Sequence, residues 1–129
     1  MREIVMSAEL PPQVQNQLMQ LQQLQMQLQA IARQKMQVEA MLKDVELALE
    51  ELEKLGDDAV IYRSVGALMI RASKAEVKED LTDKKETYDL RLKTLERQEE
   101  RMQKRFQQLQ QQVREALGVA AGESRIVGA

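Results

Sequence analysis

The residues of this chain that could do chemistry are its carboxylates, amines and serines, because it contains no histidine and no cysteine. Common general bases, thiol nucleophiles and two usual zinc ligands are therefore missing. The Asp and Glu residues alternate with Lys and Arg along helical stretches, which is typical of exposed ion pairs. Ser64 and Ser73 have turn and cap explanations, and no glycine-rich phosphate loop occurs. The sequence predicts no enzyme, no cofactor and no metal site.

The remaining recognition chemistry lies in methionine, leucine and glutamine near the start of the chain. Eleven of the 25 residues 13–37 are Gln. Flexible Met and Leu side chains on a polar, uncharged surface can adapt to many apolar partners. Alternatively, the methionines only flank a packed seam, which we prefer for Met36 and Met41, and the glutamines are helix-forming filler. We expect an exposed apolar tip made of Leu10, Val14, Leu18, Met19, Val113 and Leu117.

Residues 59–72 interrupt the helical pattern of the chain. Val, Ile and Tyr crowd the first half of this stretch, and Leu, Met and Ile the second, as in strands. Gly66 between them can take the positive φ of a tight turn. The pattern predicts a β-hairpin, with an irregular apolar loop between two helices as the alternative. A lone hairpin is marginal in water and leaves both edges unpaired, so we expect it to need strands from other chains.

Two heptad patterns flank the hairpin. Ten of the twelve a and d positions from residue 14 to 52 are apolar, the exceptions being Gln17 and Lys35. In the second pattern every d position from Leu81 to Ala116 is occupied by Leu, Tyr, Met or Ala, although several a positions are charged. Spacing of this kind is typical of coiled coils. We predict helices at about 11–55 and 74–117, ended by Gly56 and Gly118, and a disordered tail at 119–129.

The two patterns have equal length and lie symmetrically about Val65. A short connection between equal helices predicts an antiparallel pair. The expected fold is mainly α, a long antiparallel α-helical coiled coil with a central β-hairpin, forming one domain over residues 1–129. Ser73-Lys74-Ala75-Glu76 reads as a capping box that starts the second helix.

Composition excludes several function classes. The net charge is −2, with 19 basic and 21 acidic residues, so we expect neither nucleic acid nor an acidic membrane as partner. Aromatic residues make up only 2% of the chain, too few for one round core. The lack of cysteine fits a reducing cytosol. We expect no membrane span and no secretory signal.

Several stretches of this sequence resemble prefoldin subunits of the beta class, in the form found in archaea. The resemblance rests on Leu10-Pro11-Pro12-Gln13-Val14-Gln15 before the first helix, on Tyr62-Arg63-Ser64-Val65-Gly66-Ala67-Leu68-Met69-Ile70 in the hairpin, and on Lys93-Thr94-Leu95-Glu96-Arg97-Gln98 in the second helix. It covers roughly residues 9–118. One hairpin rather than two favours the beta class over the alpha class.

This resemblance implies an ATP-independent chaperone of the holdase type in the cytoplasm. It implies a hexamer of two alpha and four beta subunits, whose hairpins join in oligomeric β-barrels. The coiled-coil tips would hold unfolded client proteins and deliver them to a group II chaperonin. The residues that would form the oligomerisation hairpin are Val60, Ile61, Tyr62, Val65, Leu68, Met69 and Ile70. By strand alternation we expect Val60, Tyr62, Leu68 and Ile70 on one face and Arg63 and Arg71 on the other.

Two other interpretations compete with the chaperone. A passive coiled-coil scaffold or tether would share the helices but would have no use for soft apolar residues at a free tip. A helical arm that grips nucleic acid would need a basic stripe, yet residues 78–117 hold ten Lys or Arg against nine Asp or Glu.

Overall fold

Two long helices and a hairpin make up the chain. The computed structural model describes the backbone of residues 10–128 and the side chains of residues 10–118. Helix α1 spans Pro12–Glu53, strand β1 Ile61–Val65, strand β2 Leu68–Ala72 and helix α2 Lys74–Gly128. The mainly α fold with a central antiparallel hairpin is therefore confirmed.

Helix α1 begins where proline is tolerated, in the first turn. The amide of Gln15 donates to the carbonyl oxygen of Pro11 at 3.1 Å. At the other end, the amides of Lys54 and Leu55 donate to carbonyls three residues back, so the last turn tightens. Gly56 does not adopt a positive φ. Gly56 therefore does not cap the helix in a left-handed conformation, and the 3₁₀-type turn before it satisfies the helix end instead.

Helix α2 starts at the predicted cap. The Glu76 amide donates to the Ser73 hydroxyl at 3.1 Å, and the Val77 amide donates to the Ser73 carbonyl oxygen at 3.1 Å. The helix does not end at Gly118 but continues to Gly128. The predicted helix end at Gly118 is therefore wrong, while the disorder predicted for residues 119–129 stays a prediction. A glycine inside a helix costs only about 1 kcal/mol, which neighbouring helix-forming residues can offset.

The heptad seam of each helix is confirmed by burial. Every a and d position from residue 14 to 52 is buried or half-buried, including the polar Gln17 and Lys35. In α2 the same holds from Leu81 to Ala116, while the first a position, Lys78, is exposed. The 3.5-residue spacing alone thus located the packed face of both helices.

The hairpin closes through a two-residue turn at Gly66 and Ala67. Gly66 has a φ of 60°, as the first position of a type II′ turn requires. Val65 pairs with Leu68, Arg63 with Ile70, and the last pair joins Ile61 to Ala72. This register confirms the predicted hairpin.

The predicted assignment of hairpin faces is wrong. Paired residues share a face, so Tyr62 lies beside Arg71, while Arg63 lies beside Ile70 and on the same face as Leu68. Tyr62 therefore does not share a face with Leu68 and Ile70, and the two arginines lie on opposite faces. A turn of two residues pairs an odd-numbered residue with an even-numbered one, which the prediction did not take into account.

The chain divides into two compact units. One contains residues 1–32 with 97–129, and the other contains residues 33–96. In the first unit, the side-chain nitrogen Nε2 of Gln17 in α1 donates to the side-chain oxygen Oε1 of Gln112 in α2 at 3.4 Å. In the second unit, Glu53 of α1 contacts Lys78 of α2 at 2.7 Å. In each unit a segment of α1 therefore lies beside a segment of α2.

Candidate functional site

The hairpin exposes apolar side chains on both of its faces, and we call this set of side chains the hairpin patch. Its side chains are between 41% and 65% exposed, far more than a hydrophobic core would allow. The patch consists of Val60, Tyr62, Val65, Leu68, Met69 and Ile70. The sheet has two strands within the described residues, so each strand also presents an edge of unpaired backbone groups. Exposed apolar side chains beside open strand edges form a surface suited to joining other strands.

The two faces of the hairpin differ in their surroundings. On one face, Ala72 is buried, Ile61 is half-buried, and the Arg63 guanidinium donates to the Asp80 carboxylate of α2. That face therefore lies over the start of α2. On the other face, the Ser64 hydroxyl donates to the Met69 sulfur at 3.0 Å. Ile61, predicted to belong to the oligomerisation surface, is the least exposed of the predicted hairpin residues.

Lysine and glutamate side chains fasten the base of the hairpin. Lys74 donates to the carbonyl oxygen of Leu55 at 2.8 Å and lies 3.9 Å from Asp57. The hydrogen bond and charge of Lys78 hold the pKa of Glu53 below its ordinary value. The same hydrogen bond raises the pKa of Lys78. These contacts join the end of α1 to the first turns of α2 and fix the base of the hairpin. We call the residues that make them, together with Asp80, the hairpin platform: Glu53, Leu55, Asp57, Lys74, Lys78 and Asp80.

The tip residues in the other unit divide into two groups. Leu18, Met19 and Leu117 are exposed, Met19 by 67%, and Leu10 is half-buried. The side-chain amide nitrogen of Gln15, Nε2, donates to the carbonyl oxygen of Leu10 at 3.1 Å, which holds Leu10 against the start of the helix. Leu18, Met19 and Leu117 therefore agree with the predicted exposed apolar tip, and Leu10 agrees only in part.

Val14 and Val113 do not agree with that prediction. They are 3% and 6% exposed, so the seam stays closed at this end. Both occupy a positions, and in each case the partner helix extends far enough to cover the side chain. Their side chains pack the tip and cannot contact another molecule without opening the helix pair.

Other kinds of site are not found in the described part of the chain. Among residues 10–118, no group of three or more acidic, histidine or cysteine side chains could hold a metal ion. Within the same part of the chain, no helix is both long and apolar enough to cross a membrane.

Sequence reasoning missed two residues of the hairpin platform, Lys74 and Asp80. Lys74 was noted only as part of a capping box, and nothing local distinguishes Asp80 from the other carboxylates of α2. The pairing of Asp80 with Arg63 spans 17 residues and depends on the angle between hairpin and helix. No periodic signal in the sequence reports that angle.

Comparison with known proteins gives a consistent result. A family model described as prefoldin subunit matches residues 15–120. The prefoldin subunit beta of Methanosarcina acetivorans is 59% identical over 116 residues, covering 90% of this chain and 99% of that protein. The prefoldin subunit beta of Archaeoglobus fulgidus is 53% identical over 93 residues, covering 72% of this chain and 80% of that protein.

Solved structures agree with the sequence comparison. The crystal structure of the prefoldin beta subunit from Thermococcus strain KS-1 matches with a TM-score of 0.80 and 42% identity. The match covers 83% of this chain and 94% of that one. The prefoldin beta2 subunit from the same strain matches with a TM-score of 0.64 and 22% identity over 70% of this chain and 96% of that one, which shows the shared fold.

Proposed function

Since this chain belongs to the prefoldin family and is similar to its beta subunits, we propose that it is the beta subunit of an ATP-independent chaperone that captures unfolded proteins. The observation that supports this most directly is the pair of exposed apolar surfaces in separate units, the hairpin patch and the tip. One surface would serve assembly and the other capture.

Assembly accounts for the hairpin patch. A two-stranded sheet with open edges and exposed Tyr62, Leu68 and Met69 lacks the neighbours that a stable sheet needs. Hairpins of an alpha subunit and of further beta subunits would supply those strands. Closing them into β-barrels removes all edges, within a hexamer of two alpha and four beta subunits.

Capture would use the exposed tip residues Leu18, Met19 and Leu117, together with half-buried Leu10. Each tip buries only a few apolar side chains, and at about 25 cal/mol per Å² such a contact is weak and short-lived. Several tips on one client raise the effective local concentration, so that avidity retains what one tip cannot. Weak single contacts also let the client pass to a group II chaperonin in the cytoplasm. No catalytic step is required, and we propose that the chain is not an enzyme.

Suppression of client aggregation tests this function. The assembled hexamer should protect a chemically unfolded client from aggregation without nucleotide. Combining Leu18→Ser, Met19→Ser and Leu117→Ser should reduce this protection several-fold while native mass measurement still shows the hexamer. Val14 and Val113 are left unchanged because they pack the seam.

A matched control uses apolar residues outside the tip that are at least as exposed as the tip residues. Met36→Ser, Leu47→Ser and Leu90→Ser together remove similar exposed side chains from the other unit. Protection should then remain at the unmodified level. Equal protection by the tip variant and the control would count against capture at the tip, whereas a hexamer that gives no protection at all would favour a passive scaffold over a holdase.

A further inference from the structure

A polar groove lies between the two helix segments of the unit that contains the tip residues, which we call the tip unit. Its volume is about 400 Å³, and six of its eight lining residues have side-chain amides. These six are Gln13, Asn16, Gln17, Gln20, Gln108 and Gln112. Buried Leu109 also lines the groove, and Arg105 is its one charged lining residue.

The hydrogen bonds within the groove are incomplete. The Gln17 amide nitrogen donates to the Gln112 oxygen at 3.4 Å, but the Gln17 oxygen is buried and has no hydrogen-bond partner. A buried acceptor without a partner is unfavourable, so a donor that satisfies it would stabilise the site. The groove is therefore a polar surface with hydrogen-bonding capacity left over.

We propose that this groove binds the main chain of an unfolded polypeptide through hydrogen bonds between side-chain amides and peptide groups. This inference rests on the proposed holdase function and specifies what part of a client the tip recognises. A primary amide has donors and an acceptor, as a peptide group does, so it can pair with backbone N–H and C=O alike. Every client presents the same backbone, whatever its side chains.

The dimensions and charge of the groove suit such a ligand. From Gln13 to Gln20 the helix rises roughly 10 Å, which matches about three residues of an extended chain at about 3.3 Å each. Arg105 can only donate, and it would contact carbonyl oxygens. Since no carboxylate lines the groove, neither acidic nor basic clients would be strongly excluded by charge. Leu18 and Met19, which lie between Asn16 and Gln20 in the sequence, would contact the client's apolar side chains.

Changing the ligand tests this proposal on the unmodified protein. The probe is a fluorescent, unstructured peptide of Gly, Ser and Leu, compared with the same peptide N-methylated at alternate backbone amides. N-methylation removes donors but keeps the side chains. The assembled hexamer should bind the methylated peptide about tenfold more weakly, which corresponds to two hydrogen bonds of ordinary net strength. Equal affinities for the two peptides would overturn the proposal.

Changing the groove gives a second test with opposite expected signs. Gln20→Met with Gln108→Met removes two amides but adds apolar, flexible side chains of similar size. Amide recognition predicts about tenfold weaker binding of the unmethylated peptide, whereas a purely hydrophobic tip predicts stronger binding. Gln29→Met with Gln107→Met, outside the groove, is the matched control and should leave affinity unchanged.

The two proposals fail in different ways. If tip capture is correct but backbone recognition is wrong, both peptides bind equally and the Gln20→Met, Gln108→Met variant binds at least as well as the unmodified protein. If neither peptide binds the unmodified hexamer and no client is protected, the holdase function fails and backbone recognition fails with it.

Discussion

The Lys74 ammonium, on the first residue of α2, donates to the carbonyl oxygen of Leu55 at 2.8 Å. This bond satisfies a carbonyl just past the end of α1 and places a positive charge at the negative end of its dipole. The Lys74 side chain is only 16% exposed, so solvent screens this contact less than a surface ion pair. One side chain therefore joins both helices at the base of the hairpin.

Replacing Lys74 with methionine should destabilise the hairpin platform. The change keeps the apolar stem but leaves the Leu55 carbonyl without its charged donor, at a cost of about 1.5 kcal/mol. A lower thermal midpoint, measured at fixed subunit concentration, would show it. Lys104→Met is the control, because that lysine forms an exposed pair with Glu100 within one helix. Equal midpoints for the two variants would contradict the capping role.

The Glu53–Lys78 pair should make stability depend on pH in a defined direction. The pKa of Glu53 is lowered from 4.5, so its contribution is complete above that pH and disappears as pH falls through the lowered pKa. The pKa of Lys78 is raised from 10.5, so its contribution is complete below that pH and disappears as pH rises through the raised pKa.

The Glu53→Gln variant tests this pH dependence. Its thermal midpoint should be lower than that of the unmodified protein between pH 4.5 and 10.5. The difference should shrink outside that window and in high salt, because the pair is exposed. Glu50→Gln on the same helix is the control. A difference that persists in acid below the lowered pKa of Glu53 would rule out the carboxylate charge as its cause.

Two glycines should respond to alanine with opposite signs. At Gly66 an added Cβ would meet nothing within 4 Å, but the φ of 60° strains any side chain, at roughly 1–2 kcal/mol. Gly118 lies within α2 and likewise has open space around it, so alanine there should stabilise the helix by about 1 kcal/mol. Relative to the unmodified protein, the thermal midpoint should fall for Gly66→Ala and rise for Gly118→Ala. A rise for Gly66→Ala would exclude the strained turn.

Burial separates two apolar residues of the tip. Val14→Ala removes two methyl groups from a site that is 3% exposed and should cost about 1–2 kcal/mol. Leu18→Ala removes a larger but exposed side chain and should cost less than 0.5 kcal/mol, by the usual effect of surface substitutions. Denaturation of the two variants under identical conditions measures the contrast. If Leu18→Ala proves the more damaging, the closed seam at the tip is wrong.

Substituting two residues of the hairpin patch should prevent assembly and preserve the helices. Tyr62→Ser with Met69→Ser replaces two exposed side chains that lie on the same face of the hairpin. Because neither side chain is buried in the subunit, we expect unchanged helical circular dichroism. Native mass measurement with an alpha partner should show free subunits in place of a hexamer. A full hexamer from this variant would argue against the hairpin patch as the assembly surface.

The sequence by itself determined which residues pack and where the chain turns. The seam positions from Val14 to Leu52, the cap at Ser73 and the turn at Gly66 follow from features within a few residues of each other. The helical repeat, side-chain volume and the backbone freedom of glycine act locally, so their effects can be predicted from the sequence alone.

Only the tertiary structure decided how these local elements meet. Val14 is buried because the partner helix reaches it. The Lys74 bond to Leu55 joins residues far apart in the chain. Such contacts depend on the angles and ends of two elements at once, and no repeat within either element encodes them.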